Sequence, residues 1–190
     1  MVFLDMKKNI FLYVFSMIVI IVVVTIYHNF LINENFLSGV TSKNLIVVNN
    51  YNTPKEKLFK AISDIEKYPM ILPNNVKSIE IIERIEYESG IIVTKVKAKL
   101  VAKGILQEMA IEHVIIPNER IELIVLDGDA RHTKIVIEFN EIDGKTRIAA
   151  SAELILRGIL EPFIHPAEQV LKADMIRIMN EFNFYAKNNL

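Results

Sequence analysis

The chain has no cysteine and no tryptophan in 190 residues, and only 6 glycines and 6 prolines. Without cysteine there is no disulfide and no thiolate metal site, and the redox compartment stays open. Neither sign of charge is in excess: 22 Lys and Arg stand against 23 Asp and Glu, for a net charge of −1. That balance gives no electrostatic reason to bind nucleic acid, and none is expected as a partner. The G-x-S-x-G, P-loop, H-E-x-x-H and cysteine-nucleophile signatures are also missing. No cofactor, metal or catalytic residue is therefore indicated by motif.

Apolar residues are what the chain does have, at 52%. Much of that excess lies at the N-terminus, where Asn9 to Asn33 contains no Asp, Glu, Lys or Arg. As a helix, residues 10–32 would run about 34 Å at ~1.5 Å per residue, enough for a hydrocarbon core of ~30 Å. The expectation is one N-terminal transmembrane helix within an anchor at residues 1–33. A cleaved signal peptide is the competing reading. Its apolar region would run ~7–15 residues and end in a small-x-small site, whereas only Ser38-Gly39 follows here. Lys7 and Lys8 precede the span, and Glu34 and Lys43 follow it. That bias places the N-terminus in the cytoplasm and the domain on the outer face of a single-pass membrane protein. Residues 34–42 read as a linker, and residues 43–190 as one domain with one core.

Within the domain the hydrophobic period changes in order. Leu45 to Val48 is a β-branched strand. Thr53-Pro54-x-Glu56 reads as a capping box opening a helix whose apolar face is Leu58, Phe59, Ile62 and Ile65. Tyr68-Pro69 and Pro73-Asn74-Asn75 leave room for one short helical turn. Period two follows. Ile79, Ile81, Ile85 and Tyr87 share one strand face; Thr94, Val96 and Ala98 then oppose Lys95, Lys97 and Lys99. In the next strand Gln107, Met109, Ile111 and His113 share the dry face, and Ile121, Leu123 and Val125 alternate after it. Ile135, Ile137 and Phe139, then Ile148, Ala150 and Ala152, complete the dry faces, with Asp143-Gly144 as a hairpin turn between them. From Arg157 to Leu190 the spacing predicts one long helix, with Met175, Ile178, Phe182 and Tyr185 on its apolar stripe.

Short turns between consecutive strands make the sheet antiparallel, and the last helix is the only long cover for its dry face. The fold expected is α+β: a helix grip, with a curved antiparallel sheet of about seven strands around a long C-terminal helix. This order, with Asp64-Ile65-Glu66-Lys67-Tyr68-Pro69-Met70-Ile71-Leu72-Pro73 between helix and sheet, resembles the START-like (SRPBCC, helix-grip) superfamily. Within it the chain is most similar to the polyketide cyclase and coenzyme Q-binding protein branch. Lys103-Gly104-Ile105, Leu126-Asp127-Gly128 and Leu156-Arg157-Gly158 fit the same pattern, and the likeness runs from about Leu45 to Ala186. It implies a hydrophobic cavity between helix and sheet that holds a lipid, a quinone or a polycyclic molecule. The N-terminal span is not part of that family's core.

The residues allow a cavity on their own account. Ala98 and Ala150 are small residues on dry faces, opposite a helix bearing Met175 and Phe182. Such residues either leave space for a ligand or let the helix sit close, as packed interiors do. With Met109 and Ile137 they are the expected apolar lining, and Tyr68 is expected to fix the lid. Gln107 and His113 can hydrogen-bond a ligand oxygen or be satisfied by core neighbours, and Thr94 is an inward hydroxyl. Asp127, Asp129, Arg131 and His132 cluster at a turn, as a solvated turn or as a weak metal-ligand set. Three functions stay open. The first is a membrane-anchored binding module for a hydrophobic ligand. The second is a cyclase, aromatase or dehydratase on a polyketide-like substrate, and the third an interaction domain without a cavity.

Overall fold

The computed structural model describes residues 41–190, Lys103 excepted, so the expected span at residues 10–32 lies outside the described residues. Among the described residues no helix is long and apolar enough to cross a membrane. The chain runs β1 (Thr41–Tyr51), α1 (Lys55–Ser63), a 3-10 turn (Ile65–Lys67) and α2 (Tyr68–Ile71). Then come β2 (Val76–Glu86), β3 (Ile92–Ala102), β4 (Ile105–Ile116), β5 (Arg120–Val125), β6 (Lys134–Ile142) and β7 (Lys145–Leu156). A 3-10 segment (Gly158–Ile164) leads into α3 (Glu168–Asn189). The 7-stranded sheet has the order β1-β7-β6-β5-β4-β3-β2, antiparallel at every pair. Short turns, and a longer loop between β5 and β6, make β2 to β7 neighbours in sequence and in space. Asp143 and Gly144, at φ 52° and 69°, give the β6–β7 hairpin the left-handed pair that a two-residue turn of primed type needs. The helical crossover carries the chain from β1, beside β7, to the opposite edge at β2.

One face of this curved sheet is covered by the helices. Leu58 and Ile62 of α1 are fully buried, as are Ile121 and Ile148 of the sheet, and each such side chain contributes about 2 kcal/mol on leaving water. β3 alternates as its sequence requires. Thr94, Val96 and Ala98 are buried, while Lys95 meets Glu83 at 3.0 Å and Lys97 meets Glu108 at 2.6 Å on the wet face. Those exposed pairs add little stability, but they account for the lysine row without a ligand.

Three local expectations are corrected. The C-terminal helix starts at Glu168 rather than Arg157. Pro162 and Pro166 lack an amide hydrogen, so the chain between β7 and α3 forms the 3-10 segment and an extended turn instead. Val170 is therefore in the first turn and exposed. Second, no capping box forms. Pro54 occupies the N-cap of α1 without a side-chain cap bond, and Thr53 Oγ1 instead donates to Asn183 Oδ1 of α3 at 2.7 Å. A long-range partner has displaced the local one. Third, Ile85 does not share the face of Ile81. A bulge between Ile81 and Glu83 adds a residue to β2, so Arg84 lies opposite Thr94 and Ile85 opposite Val93. One extra residue exchanges the two faces of the strand beyond it.

Candidate functional site

α3 packs on α1 and β1, so one side of the concave face is closely covered. Over β2 to β6 the cover is thinner, because α2 has only 4 residues. The space left there is a cavity of about 330 Å³, lined from β2 to β6, α2 and one side of α3, with nothing contributed by β1, β7 or α1. Its walls are apolar: Ile79, Met109, Ile111, Leu123, Ile137 and Phe182 are representative. The polar exceptions are largely engaged. Tyr68 donates its hydroxyl to Ile62 O at 2.7 Å, and burial, then the Asp64 charge, raise its pKa. Thr133 Oγ1 donates to Ile155 O at 3.0 Å and accepts from Ile155 N at 2.9 Å, a bridge between β6 and β7. Asn75 Oδ1 accepts from Arg177 Nη2 at 3.4 Å. Among the described residues, no carboxylate, lysine, arginine or histidine lines the space.

Of the residues expected from sequence, Tyr68, Met109, Ile137 and Phe182 come together in this lining. Phe182 and Tyr68 meet edge to face, with ring centroids 5.0 Å apart. Ala98 and Ala150 are buried on the same sheet face but outside the lining, opposite Met109 and Ile137 respectively. There they serve close packing. Met175 is partly buried against the core without lining the cavity. Gln107 turns its amide back to its own strand, donating to Leu106 O at 3.0 Å. Lining residues not singled out from sequence fall into two groups. Ile79, Leu123, Ile135 and Ile178 carry the right period and were legible as dry; Asn75 and Ala130 sit in turns, where period says nothing.

Thr94 and His113 stand one step beyond the lining. They are register partners across β3 and β4, both with no exposure to solvent. Thr94 Oγ1 and both ring nitrogens of His113 have no hydrogen-bond partner. Leaving such atoms unmade costs about 1–3 kcal/mol each. Burial first, and the Arg84 charge second, push the His113 pKa down from 6.5 to about 4, so the ring is neutral at pH 7. Asp127 and Asp129 turn out to be structural: Asp127 Oδ1 accepts from Ala110 N at 2.6 Å and Asp129 Oδ2 from Ile159 N at 3.1 Å. Among the described residues no cluster of three His, Asp or Glu is arranged to hold a metal.

A seven-stranded antiparallel sheet gripping a C-terminal helix over an apolar hollow defines the START-like, SRPBCC class of proteins. The chain belongs within it to the polyketide cyclase/dehydrase and lipid transport family, whose model matches residues 52–180. Solved structures agree in fold. The protein TTHA0849 of Thermus thermophilus superposes with a TM-score of 0.61 at 15% identity, covering 76% of this chain and 97% of its own. The Zhui aromatase/cyclase of Streptomyces sp. R1128 gives 0.60 at 15% identity, over 77% of this chain and 94% of its own. A START superfamily protein from Mycobacterium smegmatis gives 0.56 at 16% identity, over 75% and 92%. At these identities the likeness is one of fold. No curated protein sequence matches the chain.

Proposed function

We propose that this protein is a binding module for a hydrophobic small molecule, such as a lipid, a quinone or a polycyclic compound, held in the cavity between α3 and the sheet. The observation that carries the reading is the lining itself: about 330 Å³ of space, mostly apolar and, among the described residues, without an ionisable acid-base pair. Water gains little there, while an apolar molecule removes its surface from solvent at ~25 cal/mol per Å². The cyclase or aromatase reading is favoured by one feature, the buried neutral His113 beside the cavity. It lacks a carboxylate or cation in the lining to share the work of an acid or base. The cavity speaks against an interaction domain with a filled interior.

The test is uptake of N-phenylnaphthylamine, whose fluorescence rises in apolar sites. Wild-type protein is expected to bind it. Ile178→Trp, which points a larger side chain from α3 into the same space, is expected to weaken binding by about tenfold or more, or about 1.4 kcal/mol, with its melting temperature little changed. Equal binding by the two proteins would remove the cavity as the site.

The anchor is part of the proposal. An uncharged run at residues 10–32, ahead of the domain whose first strand opens at Thr41, would hold the cavity beside the bilayer that supplies its ligand. Lys7 and Lys8 favour a cytoplasmic N-terminus and an outward-facing domain. The full-length chain is expected to stay in the membrane pellet through an alkaline carbonate wash; release into the supernatant would rule the anchor out.

A further inference from the structure

We infer that Thr94 and His113 form a polar subsite at the inner end of the cavity, receiving the oxygen atom of a neutral ligand, a ketone, quinone or alcohol. The inference rests on the proposed binding of a hydrophobic molecule and narrows its chemical class.

Three observations meet at this point. The first is a row of register partners on the concave face: Arg84 of β2, Thr94 of β3, His113 of β4 and Leu123 of β5. The bulge in β2 creates the row, because without the extra residue Arg84 would face water on the other side. The second is that the two inner members are unsatisfied. A neutral imidazole offers one N–H donor and one acceptor nitrogen, and a threonine hydroxyl offers a donor and acceptor. None of these atoms has a partner, and neither side chain has any exposure to solvent. The third is position. Ile111, two residues before His113 on the same face, lines the cavity, as do its cross-strand neighbour Leu123 and the Tyr68 ring, 6.4 Å from the imidazole between centroids. Leu123 is only partly buried and borders both cavity and ring, so a ligand end reaches the pair past it.

The chemistry of the end group follows from charge. Burial keeps His113 uncharged, so it gives a carboxylate or phosphate no counter-ion. Arg84, the nearest cation of the row, lies at the rim, half-exposed and 3.8 Å from Glu66. A carbonyl or hydroxyl oxygen, by contrast, takes one hydrogen bond from the imidazole N–H and one from the threonine hydroxyl, and desolvates cheaply.

Fluorene and fluorenone test this, being tricyclic molecules of nearly the same outline that differ by a methylene against a ketone. The full-length protein is held in phosphatidylcholine nanodiscs, with empty discs as the blank. Fluorenone is expected to bind about thirtyfold more tightly than fluorene relative to their partition into the empty discs, the net effect of two hydrogen bonds of about 1 kcal/mol each. His113→Phe and Thr94→Val are each expected to reduce that preference while leaving fluorene binding in place. Nitrogen NMR of histidine-labelled wild-type protein needs no variant. The ring that does not titrate around neutral pH should shift with fluorenone and stay put with fluorene. If both molecules bind but the preference and the shift are absent, the subsite is wrong and the cavity reading stands. If neither binds, both readings fall. If fluorene-9-carboxylate binds more tightly than fluorenone, the neutral end group is overturned.

Discussion

Between pH 6.5 and pH 4 the folded domain is expected to lose about 3 kcal/mol of stability through His113 alone, because its pKa falls from 6.5 to about 4 on folding. Above pH 6.5 the ring is neutral in folded and unfolded chains, and contributes no pH dependence. As the pH drops through this window the unfolded chain takes up a proton that the folded chain refuses, so the equilibrium moves toward unfolding. Below about pH 4 both states are protonated and the loss is complete. The cause is mainly burial. The imidazole has no exposure to solvent and no partner for either nitrogen, so a charge there has nothing to replace water. Arg84 adds repulsion from the rim. Carboxylates also titrate toward the acid end, which makes the difference between proteins the quantity to measure. Urea unfolding of wild type and His113→Phe across this range should show wild type losing about 3 kcal/mol relative to the variant as the pH falls. Parallel curves would mean that His113 is solvated or paired in solution. A bound neutral ligand that engages the ring should carry the loss on below pH 4, because it stabilises the unprotonated form.

Gly158→Ala is expected to cost about 2–3 kcal/mol, a large effect for one added methyl group. Gly158 sits at φ +53°, and a Cβ there would come within 2.6 Å of Asp129 Oδ2. That carboxylate is not free to swing away. It accepts from Ile159 N at 3.1 Å, and the Asp129 carbonyl accepts from Arg157 N at 2.8 Å. The pair of bonds clasps the loop between β5 and β6 to the start of the 3-10 segment, next to Ala130, which lines the cavity. Alanine therefore suffers the left-handed backbone and also forces the carboxylate off its amide. A double-mutant cycle separates the two effects. In an Asp129→Ala background, Gly158→Ala should cost only the backbone share, about 1 kcal/mol. An undiminished cost would show that the clasp is not what the methyl group disturbs. With the loop loosened, the single variant should also bind the apolar probe less tightly, since Ala130 and Thr133 form that wall.

Most of the fold was legible because its signals are local and repeated. Alternation from Thr94 to Ala98 against Lys95 to Lys99 can be satisfied only by a strand with one dry face. Asp143-Gly144 marks a tight hairpin whatever surrounds it. The stripe through Met175, Ile178, Phe182 and Tyr185 needs a partner surface; Phe182 is buried as expected, while Met175, Ile178 and Tyr185 are partly buried and Met179 and Ala186 join Phe182 at the centre of the buried face. Expectations failed where one residue or one distant contact outweighs a pattern. The β2 bulge has no consensus, yet it moves Ile85 to the opposite face and brings Arg84 in line with Thr94. Thr53 has the right spacing for a cap, but Asn183, 130 residues away, takes its hydroxyl.

The candidate site divides along the same line. Met109, Ile137 and Phe182 were recognisable as inward residues by period, Tyr68 was expected only at the lid, and all four line the cavity. Period does not say how far an inward residue stands from its neighbour, so Ala98, Ala150 and Met175 read the same and lie outside it. His113 was readable as inward. That both its nitrogens are unpartnered was not, because hydrogen-bond satisfaction depends on what every nearby element brings.

By itself the sequence determined an antiparallel sheet, a covering C-terminal helix and the uncharged N-terminal run, since each follows from the spacing of apolar and charged side chains along one segment. Only the tertiary structure decided that a hollow remains between them. Its volume depends on how far α3 leans toward β1 and how little α2 can fill, and those distances belong to the assembled domain, not to any stretch of it.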